Sequence, residues 1–153
     1  MADGRIEGIY IKPVPGERPV GVDEVKAMAG VGLDGDPYVA EGIENEPGRG
    51  QQLTLISREE IEDLAQEGVT LRPGESRRQL ETRGVDLKSL IGKRFRVGEV
   101  ECLGIRVCAP CQGLQNMTGK PVLLGLKGKG GLRADILSTG MIRVGDAVVP
   151  LEE

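Results

Sequence analysis

The sequence predicts a β-rich α+β fold: a twisted, barrel-like, mostly antiparallel sheet carrying a few short helices. Three observations predict it. Short apolar runs that read as strands outnumber helical stretches by about three to one. The chain holds 24 glycines, many at corners and between those runs. No regular strand–helix alternation of the kind that builds a doubly wound sheet is visible. The 153 residues, 39% of them apolar, predict a single domain spanning 1–153, a size that buries about two-thirds of the unfolded surface.

Each element follows from local chemistry. GRIEGIYIK (4–12) is rich in β-branched residues but alternates imperfectly, and Pro13, Pro15 and Gly16 end it in a turn. A second strand is predicted over 20–28. Residues 30–50, rich in glycine and acids with little apolar periodicity, read as a long loop. A short strand over 52–56 runs into Ser57 and Glu60, the spacing of a capping box, so a helix starts there. Ile61, Leu64 and Ala65 give that helix an apolar stripe, and Gly68 is placed to stop it. The stretch 72–84 is polar and basic and predicts no element. Asp86 is placed to cap a single turn through Leu90 that Gly92 ends. Strands over 93–97 and 100–107 flank Gly98-Glu99 and read as a hairpin. Short helices are predicted at 111–117 and 121–126, then strands over 132–137, 141–144 and 147–151.

Composition excludes several classes of function. Only Phe95, Tyr10 and Tyr38 are aromatic, so platforms for stacking single-stranded bases are nearly absent. The net charge of -4 also argues against nucleic acid, which is normally met by a basic face. The N-terminus shows no basic segment followed by an apolar one, and no run is long enough to span a bilayer; no membrane association and a cytoplasmic location are the expectation. Three cysteines do not make a disulfide framework, and reduced thiols fit better. Cys102 is expected to pack as a small apolar side chain.

With no histidine in the chain, sulfur is the natural nucleophile or soft ligand. Cys108-Ala109-Pro110-Cys111 puts two thiols at a CxxC spacing directly after an apolar strand. Pro110 suits the first position of a helix, which places Cys111 in the first turn, where free amides and the helix dipole stabilise a thiolate. Cys111 is therefore the candidate nucleophile and Cys108 its companion. The competing readings are a buried pair of small residues and a thioredoxin-like redox pair, although that motif belongs in a βαβ setting. Zinc is disfavoured, because a closed site needs four ligands.

Arg72, Arg77, Arg78 and Arg83 crowd one polar stretch, and Arg133 follows a glycine-rich run. Planar guanidinium groups suit a bidentate grip on phosphate or carboxylate. The alternative is a solvated face paired with Glu75 and Glu81. The run GLKGKGG (125–131) lacks the glycine order of a nucleotide loop, and the aspartates of GLDGD (32–36) do not recur in the order a calcium loop needs.

Taken in order, GLDGD (32–36), QQLTLISREEIEDL (51–64), LRPGESRRQLETRGVDLKSLIGKRFRVGEVEC (71–102), CAPC (108–111) and GGLRADILSTGMIRVGDAV (130–148) resemble the MOSC domain. That is the C-terminal domain of molybdenum cofactor sulfurases, which also occurs as small stand-alone proteins. The likeness runs over residues 31–151. It implies a barrel-like β fold and a cysteine, matched here by Cys111, that carries sulfur as a persulfide or meets the molybdenum of a bound molybdenum cofactor. It also implies a target for Arg77, Arg78, Gln79, Arg83 and Arg133, since the pterin of that cofactor ends in a phosphate.

Two departures bear on the carry-over. Family members often show a histidine after the first GD, where this chain has Pro37-Tyr38, so a histidine-dependent proton transfer is excluded. An asparagine often follows the paired basic residues, where this chain has Gln79, whose extra methylene shifts its amide outward. The pyridoxal-phosphate domain of full sulfurases has no room here, and pyridoxal phosphate is not expected on this chain. The resemblance thus implies a sulfur carrier of sulfurtransferase type. Its partners would be a cysteine desulfurase or similar donor and a molybdoenzyme or other metal–sulfur acceptor. The alternatives are a cofactor-binding module without turnover and a structural or redox CxxC domain.

Overall fold

The computed structural model describes residues 4–11, 20–34, 52–66, 79–107 and 131–151. Eleven strands are assigned there: β1 (Gly4–Ile11), β2 (Val20–Val22), β3 (Glu24–Met28), β4 (Gly32–Leu33), β5 (Leu53–Ser57), β6 (Leu80–Arg83), β7 (Arg94–Val97), β8 (Val100–Val107), β9 (Leu132–Ile136), β10 (Gly140–Arg143) and β11 (Ala147–Pro150). They are joined by an α-helix, α1 (Arg58–Gln66), and a 3₁₀ turn (Leu87–Leu90).

Strands β11-β7-β8-β9-β5-β6-β1 pair in that order, and β11 pairs back to β1, which closes a seven-stranded barrel with β2 added beside β1. The expected barrel-like β fold is therefore observed. Among the described strands only β5 and β6 run parallel, and a parallel neighbour demands a crossover, of which α1 is part. The inward side chains, among them Ile6, Leu55, Phe95, Val100 and Leu132, form one buried cluster.

The imperfect alternation of the first strand has a cause. A β-bulge between Ile6 and Gly8 shifts the register against β6, so Ile6 and Ile9, three residues apart, both face the core. The strand expected over 20–28 is divided instead. β2 pairs with β1, whereas β3 leaves the barrel and pairs with β10 and β4 in a separate three-stranded sheet. Val25, Ala27, Leu33 and Ile142 of that sheet join the same core. Within the expected loop of 30–50, Gly32–Leu33 is a short strand, reached by a tight turn at which Gly30 takes a left-handed φ of 75°.

The polar stretch 72–84 hides a strand. β6 is held between β5 and β1, and its polar residues are buried because their needs are met: Glu81 accepts from Arg58 Nε at 2.8 Å, and Thr82 donates to the Ile56 carbonyl. At the start of α1 the Ser57 hydroxyl donates to Glu59 at 2.9 Å. Asp86 occupies the position before the 3₁₀ turn without a side-chain cap; its carbonyl accepts from Ser89 instead. The 7–8 hairpin forms as expected, with Gly98 at φ 58°. The helices expected at 111–117 and 121–126 lie outside the described residues.

Candidate functional site

β5, β9 and β8 pair side by side, and their register builds one row across the outer wall of the barrel. Arg106 of β8 opposes Arg133 of β9, and Arg133 opposes Thr54 of β5. Directly opposed residues of an antiparallel pair share a face. That face is the outer one, because Leu132, Ala134, Leu53 and Leu55 on either side are in the core.

Gln79 extends the row beyond Thr54. Its side-chain carbonyl accepts the Thr54 N–H at 3.0 Å, its own N–H donates to Thr54 Oγ1 at 3.0 Å, and its backbone carbonyl accepts from Tyr10. The side chain is locked in place by these bonds. Of the residues expected from sequence to hold an anion, Gln79 and Arg133 are thus brought together.

Arg83 stands elsewhere. It lies four residues along β6 from Gln79, about 13 Å at strand rise. Its Nε donates to Glu7 at 2.6 Å and its terminal nitrogen to Glu62 at 2.6 Å. Those two hydrogen bonds, first from Glu62 and then from Glu7, raise the guanidinium pKa. Arg83 clamps β1 to α1. Glu81, the other expected partner of the arginine stretch, pairs with Arg58. Arg77, Arg78, Cys108 and Cys111 lie outside the described residues.

The row is tied in sequence to the cysteines. β8 ends at Val107, one residue before Cys108, and Val107 pairs with Leu132 at the start of β9. β8 therefore ends and β9 begins beside the Arg106–Arg133 register pair. Among the described residues Arg133 makes no ion pair. Asp135, two residues on along the same face of β9, is 4% exposed.

Cys102 is 0% exposed in the core, and burial, with the Glu101 charge adding to it, pushes its thiol up to about 12. It is an apolar packing residue, as expected, and not a nucleophile. No group of three or more His, Cys, Asp or Glu that could hold a metal occurs among the described residues. No described helix is long and apolar enough to cross a membrane.

Arg106 and Thr54 were not legible as site residues. Strict alternation from Val100 through Cys102 and Gly104 puts residue 106 inside the barrel. A register shift between Gly104 and Arg106 reverses its side, and no residue type announces that bulge.

The model of the MOSC domain matches residues 43–149. The chain belongs to the MOSC domain family. Solved structures agree on the fold. YuaD from Bacillus subtilis is similar with a TM-score of 0.79 and 21% identity, covering 99% of this chain and 98% of its own. YiiM from Escherichia coli gives a TM-score of 0.71 at 19% identity over 97% of this chain and 70% of its own. YiiM from Geobacillus stearothermophilus gives 0.74 at 15% over 97% and 75%. At these identities the likeness shows the MOSC fold alone. No curated protein sequence matches the chain.

Proposed function

We propose that this MOSC domain is a sulfur carrier acting in the cytoplasm, with Cys111 as the sulfur-bearing residue. The Cys111 thiolate attacks the terminal sulfur of a donor persulfide on a cysteine desulfurase or similar protein; a new S–S bond forms, the donor S–S bond breaks, and the donor thiolate leaves. The carried sulfur is then released to a molybdenum cofactor or other metal–sulfur acceptor. Attack by Cys108 on the inner sulfur would form a Cys108–Cys111 disulfide and release hydrosulfide, which gives the second cysteine its use.

The observation that supports this reading is the cross-strand register of Arg106 and Arg133 on the two strands that precede and follow the cysteine segment in sequence. Cys111 is four residues beyond Val107, a tether of at most about 14 Å. A tether of that length lets the thiol come within the roughly 4–6 Å at which a cation favours the thiolate.

The described residues also suit the anionic end of a molybdenum cofactor. Arg133 and Arg106 supply charge for a phosphate, Gln79 and Thr54 supply polar groups beside it, and Arg77 and Arg78 remain candidates for the same role. Cys111 would be the molybdenum ligand, since Cys102 is closed off in the core. When bound, such a cofactor supplies a metal centre that accepts sulfur. This supports a second reading, a cofactor-holding module whose turnover depends on other proteins.

Incubation with a sulfane-sulfur donor followed by intact-mass measurement tests the first reading. A gain of one sulfur atom, lost on reduction and absent in Cys111→Ser, is expected; no adduct on the wild-type chain overturns it. Molybdenum and pterin that co-purify in near-equal amount with the chain and are lost in Arg133→Ala would favour the second.

A further inference from the structure

We propose that Glu99 and Asp146 close the free edge of β10 and so keep a second copy of this chain from adding to the three-stranded sheet. The inference is independent of the thiol chemistry above.

An edge strand presents a row of backbone donors and acceptors on which another strand can build. Among the described strands three end a row: β4 with two residues, β2 with three and β10 with four. β10, the longest, is the best template of these. Its Gly140 and Ile142 oppose Ala27 and Val25 of β3, and the next alternate residue, Val144, donates its N–H to the Asp23 carbonyl. Successive residues of a strand turn their N–H and C=O to opposite sides. Met141 and Arg143 therefore turn theirs to the open edge.

Both of those N–H groups are taken by carboxylates. Met141 donates to Glu99 Oε1 at 2.8 Å, and Arg143 donates to Asp146 Oδ2 at 2.8 Å. Asp146 also donates its own N–H to the Arg143 carbonyl at 3.0 Å. The two acids come from separate places, the tip of the 7–8 hairpin and the turn before β11, and meet on one edge. Both bonds are exposed to solvent, where water would satisfy an unpaired N–H, so burial does not call for them. Their effect is to occupy the donors that an incoming strand needs.

The strand they exclude is β10 of a second copy. Set antiparallel about Ile142, two such strands place Met141 opposite Arg143 of the other copy. Every outward N–H then meets an outward carbonyl in a two-fold arrangement, and no like charges are opposed.

Sedimentation velocity of the full chain under reducing conditions, over a concentration series, tests the proposal. The wild type is expected to stay a monomer, and Glu99→Ala/Asp146→Ala to dimerise roughly 10-fold or more tightly than the wild type. Glu99→Ala alone leaves the turn before β11 intact and should give a smaller rise; it decides the matter if the double variant does not fold by circular dichroism. Glu99→Gln/Asp146→Asn keeps an acceptor oxygen at each place and should remain monomeric. Met141→Pro, added to the double-alanine variant, deletes a donor that β3 does not use and should restore the monomer. Four results overturn the proposal: alanine variants that associate no more than the wild type, a dimer that survives Met141→Pro, an amide variant that associates as strongly as the alanine one, or a wild type that does so.

Discussion

Arg58 Nε lies 2.8 Å from Glu81 Oε1, and this contact joins the first residue of α1 to a carboxylate that is 1% exposed on β6. A charge buried in the barrel wall needs a partner, and the helix supplies it. α1 is therefore tied to the barrel by an ion pair at its start and by the Glu62–Arg83 pair one turn on.

Arg58→Met removes the guanidinium that Arg58 presents to Glu81. A loss of about 2–3 kcal/mol is expected, below the full cost for a deeply buried pair because Arg58 is partly solvated. Urea denaturation measures it; a change under about 0.5 kcal/mol, the scale of an ordinary surface substitution, would show that the contact does not hold the helix.

Acid should weaken the Arg83 clamp. The Arg83 hydrogen bond holds the Glu7 carboxyl below its ordinary value, and that of Glu62 likewise. A carboxylate with a depressed folded pKa stabilises above its unfolded value and loses that contribution as pH falls through the folded one. The urea midpoint should therefore drop below about pH 4.5, and the drop should be shallower in Arg83→Gln. Parallel curves for the two proteins would remove the clamp from the account.

Cys102 should resist iodoacetamide in the native protein and react only on unfolding, since burial pushes its thiol to about 12 from an ordinary 9.0. The sign at high pH follows. The unfolded thiol ionises first, so stability present below pH 9 falls as pH rises from there, by at most about 1.4 kcal/mol per unit. Cys102→Ala should flatten that alkaline limb, and an unchanged slope would assign it to other groups.

Gly104 has no room for a side chain: a Cβ there would run into the Leu90 carbonyl beneath the 3₁₀ turn. Because the obstacle is backbone, Gly104→Ala is expected to cost about 2 kcal/mol or more. Gly92→Ala is the control, with open space around its Cβ; it should suffer only the strain of its left-handed φ, about 1 kcal/mol. Thermal melts of the two variants compare them, and equal losses would argue against the collision.

The positions of β5, β7, β8, β9 and β11 were legible because their apolar runs are local and bounded by turn residues. The 7–8 hairpin could be read from Gly98 alone with its flanking runs. β6 was not, because Glu81 and Thr82 are buried by partners on α1 and β5 that no local pattern reveals. The split of 20–28 was hidden too, since β3 pairs with β10 more than a hundred residues away in sequence.

At the site, residue chemistry made Arg133 visible as a candidate and the family resemblance added Gln79, but neither could choose among the arginines. The chain by itself determined an all-strand wall, an inert core thiol at Cys102 and a cysteine segment directly after β8, because each depends on neighbours in sequence. Only the tertiary structure decided that Arg83 belongs to an ion pair with Glu7 and Glu62, and that Arg106 faces Arg133. Strand register and one bulge set which side chains meet, and both are fixed by pairing between distant segments.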